Sequence, residues 1–173
     1  ATTEIYTLSL HDARPIFDYY KYDNSSQTIS LCPPSSDYTW NGYDKPTGDL
    51  VIPASIMIQG VNYPIVEIGY CAFIGCSGIT SVIIPNGVTT IGSGAFMGCE
   101  GIESSPIPNS VTSIGSEAFY SCIGLTSVFI PSSVGVIGKN PFAKCSGLET
   151  IIVDANNPYY DSQEECNAIT SVS

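Results

Sequence analysis

The apolar residues between positions 67 and 155 return at a fixed step of 23 residues. Ile-Gly recurs at Ile68-Gly69, Ile91-Gly92, Ile114-Gly115 and Ile137-Gly138. Phe73, Phe96, Phe119 and Phe142 keep the same step. So do Cys76, Cys99, Cys122 and Cys145, and so do Gly78, Gly101, Gly124 and Gly147. Two further columns run Ile79, Ile102, Leu125, Leu148 and Ile84, Ile107, Ile130, Val153, and Pro85, Pro108 and Pro131 close three of the units. One unit reads V-x-x-I-G-x-x-A-F-x-x-C-x-G-L-x-x-V-x-I-P. In Leu125-Thr-Ser-Val128-Phe-Ile130, Val128 and Ile130 share one face of a strand, and Leu125 enters the same core just before it. The proline after each strand removes an amide donor and ends the ladder. The glycines of Ile-Gly and those after Cys are expected to permit backbone turns that a Cβ resists. No unit can bury its apolar side alone. Coils stacked at roughly 4.8 Å bury it against their neighbours. The pattern therefore predicts a mainly-β parallel solenoid of about four coils over residues 67–155.

Departures from the repeat carry their own expectations. Glu103-Ser-Ser-Pro-Ile107 has Ser105 in place of the core valine and Pro106 inside the strand, so this coil is expected to be the weak one, with a partial void and a missing ladder bond. Pro141 replaces the alanine of the other units, a mild change. Pro53 to Pro85 is 32 residues, nine more than the repeat. The extra residues, around Ile56 to Tyr63, predict a hairpin turning at Gln59-Gly60. Residues 17–47 show no repeat. There Phe17–Tyr22 and Gln27–Leu31 read as two strands joined by Asp23-Asn-Ser-Ser. The whole of residues 17–66 is expected to form an N-terminal β cap with a lead-in hairpin, since the first coil would otherwise expose its apolar end.

Gly115 to Pro131, GSEAFYSCIGLTSVFIP, preceded by Val111-Thr-Ser-Ile, closely resembles the BspA-like leucine-rich repeat family. The resemblance covers about residues 48–173, with Gly48 to Pro53 and Tyr63 to Gly69 resembling the usual start of such an array. It implies a leucine-rich-repeat solenoid acting in non-enzymatic recognition. It also implies a surface-exposed or secreted protein that adheres to host or extracellular-matrix proteins, to glycans or to other microbes. Asn156 to Ile169 is likewise similar to family sequence, where it leads into another hairpin and further repeats, so residues 156–173 are expected to begin a continuation cut short. Residues 5–16, IYTLSLHDARPI, resemble the translation of a sequencing-library adapter, with Arg14 where the adapter gives Leu. On that reading residues 1–16 are a leader foreign to the native chain. A native edge strand is the alternative.

Composition narrows the function classes. Charged residues are 12%, about half the usual share. Five Lys plus Arg stand against 16 Asp plus Glu, a net charge of −11. Nucleic-acid binding needs a basic stripe, and an anionic membrane repels such a chain, so neither is an expected partner. No apolar run approaches the ~18 residues of a membrane span. With His11 as the one histidine, a Ser-His-Asp or Cys-His site has a single candidate base, and a two-His metal site cannot exist within the chain.

The chemistry-bearing residues mostly have plain structural readings. The four repeat cysteines point the same way into the core and are expected to be free buried thiols; a row does not converge on a metal. Cys71, in Gly69-Tyr-Cys-Ala-Phe73, breaks the column and is expected at the surface, while Cys32 and Cys166 remain open to other pairings. Glu100, Glu103, Glu164 and Glu165 are read as solvated charges, not a glycosidase pair. Asp37, Asp44 and Asp49 lack the spacing of a calcium loop. Asn24-Ser-Ser26 matches a glycosylation acceptor. Tyr19, Tyr20, Tyr22, Tyr38, Trp40 and Tyr43 in the front segment are read chiefly as cap packing, with stacking on sugars or protein as the alternative. No catalytic, cofactor or metal residue is predicted. The candidate site is the outward strand face. Its columns are Ser81, Ser104, Ser127, Thr150 and Ile83, Pro106, Phe129, Ile152. An apolar strip with a hydroxyl rim has the make-up of a binding surface. The competing reading is that strands favour Ile and Phe in any case, or that the cap or another chain covers the strip. An accessory or spacer module serving a catalytic domain elsewhere is the alternative function.

Overall fold

The structure, a computed structural model, describes residues 20–23, 25–104, 106–163 and 168–171. The adapter-like stretch, Phe17 to Tyr19, Asn24, Ser105, Glu164, Glu165 and Cys166 lie outside the described residues. The described chain is all strand and turn: β1 (Tyr20–Asp23), β2 (Thr28–Leu31), β3 (Gly48–Val51), β4 (Ser55–Ile58), β5 (Val61–Ile68), β6 (Ile79–Ile83), β7 (Thr90–Ile91), β8 (Ser113–Ile114), β9 (Ser127–Ile130), β10 (Val136–Ile137), β11 (Thr150–Val153), β12 (Tyr160–Gln163) and β13 (Ala168–Ser171).

Each coil contributes to two parallel ladders. One runs β2-β5-β7-β8-β10 and pairs Leu31, Ile68, Ile91, Ile114 and Ile137 in succession. The other carries the longer strands and falls into two pieces, β3 with β6 and β9 with β11. Between the ladders the phenylalanines form a continuous stack. Ring centroids are 5.4 Å apart for Phe73 and Phe96, 5.3 Å for Phe96 and Phe119 and 5.6 Å for Phe119 and Phe142, with the planes within 17°. Backbone bonds follow the same step: the Phe73, Phe96 and Phe119 amides donate to the carbonyls of Ala95, Ala118 and Pro141 at 2.7–2.8 Å. Pro141 keeps the carbonyl of this column but lacks the amide that Ala72 and Ala95 donate to the Gly69 and Gly92 carbonyls.

Two expectations about the repeat are corrected by the geometry. The Ile-Gly glycines and those after Cys do not adopt left-handed backbone. They are required by close approach: a Cβ on Gly115 would lie 2.3 Å from the Ser93 amide nitrogen, and one on Gly124 would lie 2.5 Å from the Glu100 carbonyl. The left-handed positions lie elsewhere in each coil. One column is Cys71, Gly94, Glu117, Asn140 and the other is Gly75, Gly98, Ser121, Lys144, with φ between 53° and 71°. Cys71 is buried, contrary to expectation. It packs over Gly94, where a Cβ would come within 3.1 Å of its sulfur.

The front segment winds as an irregular coil of the same solenoid. The hairpin β1-β2 joins one ladder through β2, and β3 joins the other. Trp40 lies over Phe73 at 6.4 Å and 19°, where a preceding phenylalanine would sit. Its indole N–H donates to the Ala72 carbonyl at 3.0 Å, replacing the amide donor that a preceding coil would supply. The inserted hairpin β4-β5 turns at Gln59-Gly60 as predicted, both residues left-handed, as a two-residue hairpin turn requires. At the far end Asn157 occupies the core column of Val88, Val111 and Val134. Its amide donates to the Pro131 and Val134 carbonyls and accepts the Tyr159 and Tyr160 amides, so a buried polar side chain is satisfied where the regular coil gives way to the hairpin β12-β13.

Candidate functional site

The strand ladder fixes the outward columns by alternation. In β9, Val128 and Ile130 are buried, and Ser127 and Phe129 face out. β11 follows in register, with Thr150 opposite Ser127 and Ile152 opposite Phe129. β6 sets Ser81, half-buried, and Ile83, exposed, in the corresponding places. Coil 102–107 holds Ser104 in line through a bridge to Ser127, and Pro106 is half-buried. Exposure of Ile83 is 59%, of Phe129 43% and of Ile152 53%, so the cap does not cover the apolar column.

The strip is longer than the repeat shows. Val51 pairs with Ile83 and is 56% exposed, extending the apolar column to five coils. Asp49 pairs with Ser81 and extends the polar column; its carboxylate accepts the Ser81 hydroxyl at 2.6 Å and the Thr80 hydroxyl at 3.2 Å. Both residues lie before the regular 23-residue step begins, in the Gly48 to Pro53 stretch that resembles the start of an array. The register of the hydrophobic residues Leu50 and Ile52 was the available signal.

The other sequence candidates resolve into local roles. Cys76, Cys99, Cys122 and Cys145 are free and buried. The last three donate to the carbonyls of Phe73, Phe96 and Phe119 at 3.0–3.2 Å, one coil back. Burial pushes Cys76 up to about 12 and holds Cys99 far above the ordinary thiol range. Cys122 is raised by the neighbouring Cys145 thiol and then by burial. Cys76, Cys99 and Cys122 therefore stay protonated at neutral pH and are poor nucleophiles, while the bond from the Cys122 thiol shifts Cys145 downward. Cys32 and Cys71 are also free. Asp37 bonds Ser35 and Thr39 within its own turn, and those bonds hold its carboxyl below the usual range. Glu100 and Glu103 are exposed. Tyr20 and Trp40 are buried in the cap, whereas Tyr38 and Tyr43 are exposed. Tyr38 meets Tyr70 edge-to-face at 5.1 Å, with the Lys21 ammonium 5.0 Å from its ring centre. Among the described residues no group of three or more His, Cys, Asp or Glu is placed to hold a metal, and no helix is long and apolar enough to cross a membrane.

Stacked 23-residue coils, two parallel ladders and an inner phenylalanine row define a leucine-rich-repeat solenoid. The family model described as BspA type leucine-rich repeat region matches residues 58–171 in six copies, and the chain belongs to that family. Among solved structures it is similar to a leucine-rich repeat protein from Bacteroides capillosus, with 28% identity, a TM-score of 0.65, and coverage of 79% of this chain and 93% of that one. The leucine-rich repeat protein of T. pallidum is 25% identical with a TM-score of 0.54, covering 76% of this chain and 66% of that one. A leucine-rich repeat protein from Bacteroides ovatus is 29% identical with a TM-score of 0.52, covering 76% of this chain but 38% of that one. No curated protein matches.

Proposed function

We propose that the protein is a non-enzymatic recognition scaffold, secreted or displayed at the cell surface, whose strand face adheres to a protein or glycan ligand of a host or its matrix. The observation that carries this reading is the exposed apolar column Val51, Ile83, Phe129 and Ile152 beside its rim of Asp49 and hydroxyls. A rigid face with one bulky aromatic suits recognition through a few anchors, and Phe129 is the central one. Family membership and the adhesive role that the resemblance implies support the surface location. The accessory or spacer reading draws on the Bacteroides ovatus relative, of which this array spans 38%.

The double replacement Phe129→Ser with Ile152→Ser tests the site. Capture by immobilised matrix proteins and glycans should fall at least tenfold, because a lost anchor of this kind is worth about 2 kcal/mol or more. The thermal melt should stay close to that of the parent, since both side chains face solvent. Undiminished capture removes this face from consideration and favours the spacer.

A further inference from the structure

We propose that the strand face takes a basic protein segment with an apolar centre, Lys or Arg flanking about six residues that run across the coils. This deepens the proposed function and rests on it. Along the strand-bearing segments stand Asp49 and Asp154 with the exposed Glu103 and Glu149. The four described lysines all lie elsewhere. Lys21 is in β1, Lys45 reaches the Gly75 carbonyl at 2.9 Å on the turn side, and Lys139 and Lys144 flank the turn of the last complete coil. Among the described residues, therefore, the apolar strip is bordered by carboxylates and hydroxyls and by no cation. The turn side of the repeats mixes Glu100 and Glu117 with Lys139 and Lys144.

Length and charge together select the occupant. Five coils at ~4.8 Å place Val51 and Ile152 about 19 Å apart, the reach of about six extended residues. A glutamate-rich partner would bring like charges together beside a low-dielectric strip and be repelled. A second copy of this chain has the same defect, since its own strip carries the same acids. A segment with cations outside an apolar centre matches both features.

The test uses the full chain and two synthetic peptides that share one apolar core, one flanked by lysines and the other by glutamates. Binding is read by fluorescence anisotropy at low and high salt. The lysine peptide should bind about tenfold more tightly at low salt, and the gap should close as salt rises. Glu103→Lys with Glu149→Lys should erase or invert the preference, with the thermal melt recorded to confirm that the fold is kept. Equal binding of the two peptides, binding of neither, or a preference that survives the charge reversal overturns the basic partner. Self-association in sedimentation that neither peptide displaces also overturns it, in favour of a second copy. The Phe129→Ser, Ile152→Ser variant separates the two levels. If it binds the lysine peptide as the parent does, the strip itself is the wrong surface. If it loses both peptides, the strip stands whatever the charge preference.

Discussion

Coils 102–107 and 125–130 have the same place in the repeat but different outcomes. The second forms β9 and pairs along its length with β11. In the first, with Ser104 and Pro106, the described residues form no strand and keep one bridge, Ser104 to Ser127, with the Thr126 amide donating to the Glu103 carbonyl at 3.1 Å. Nevertheless Ile102 and Ile107 of the irregular coil stay buried, at 1% and 8% exposure, and Phe96 and Cys99 just before it are fully enclosed. The burial of this coil therefore does not need a regular strand on this face. The inner row of rings, the carbonyl column beside it and the short Ile ladder on the opposite side run through this coil uninterrupted. A solenoid built this way can vary its strand face freely, and that is the face a ligand would meet.

Removing a ring tests this contrast most severely. Phe119→Ala should cost about 3–5 kcal/mol in urea denaturation, since it opens a cavity between two fully packed coils. A cost below about 1 kcal/mol would show that the ring row is not what maintains register. The next largest effect is expected from Gly115→Ala. A new Cβ 2.3 Å from the Ser93 amide nitrogen has only backbone to push against, so about 2–3 kcal/mol should be lost. Pro106→Val acts in the opposite direction and is the smallest. It returns a ladder donor and a strand-forming residue to the irregular coil, and should add about 1 kcal/mol together with slower amide exchange there. No gain would mean that the missing donor is not what keeps this coil out of the ladder.

The period, the phenylalanine row, the buried thiols and both hairpins were legible because each repeats a side chain or shows a recognisable turn. The left-handed positions were not. Only Gly75, Gly94 and Gly98 mark them with glycine, while Cys71, Glu117, Ser121, Asn140 and Lys144 adopt the same backbone under constraint from the stacked neighbours. The invariant glycines, in contrast, mark steric contact between coils, which single-coil reasoning does not contain. The front segment hid its role for a related reason. Trp40 stands in for a phenylalanine and Leu31 for an isoleucine, so the shape of a coil is kept without its letters. Hence Val51 and Asp49, the first members of the strand-face columns, were missed.

The indole of Trp40 has a consequence for assembly. Stacked coils are modular and by nature open to indefinite head-to-tail growth. At this end the Trp40 ring, itself buried in the cap, covers Phe73 and engages the Ala72 oxygen, so neither is open to a second molecule. The stack thus has a polarity, with the groups that a preceding coil would engage already occupied by one tryptophan.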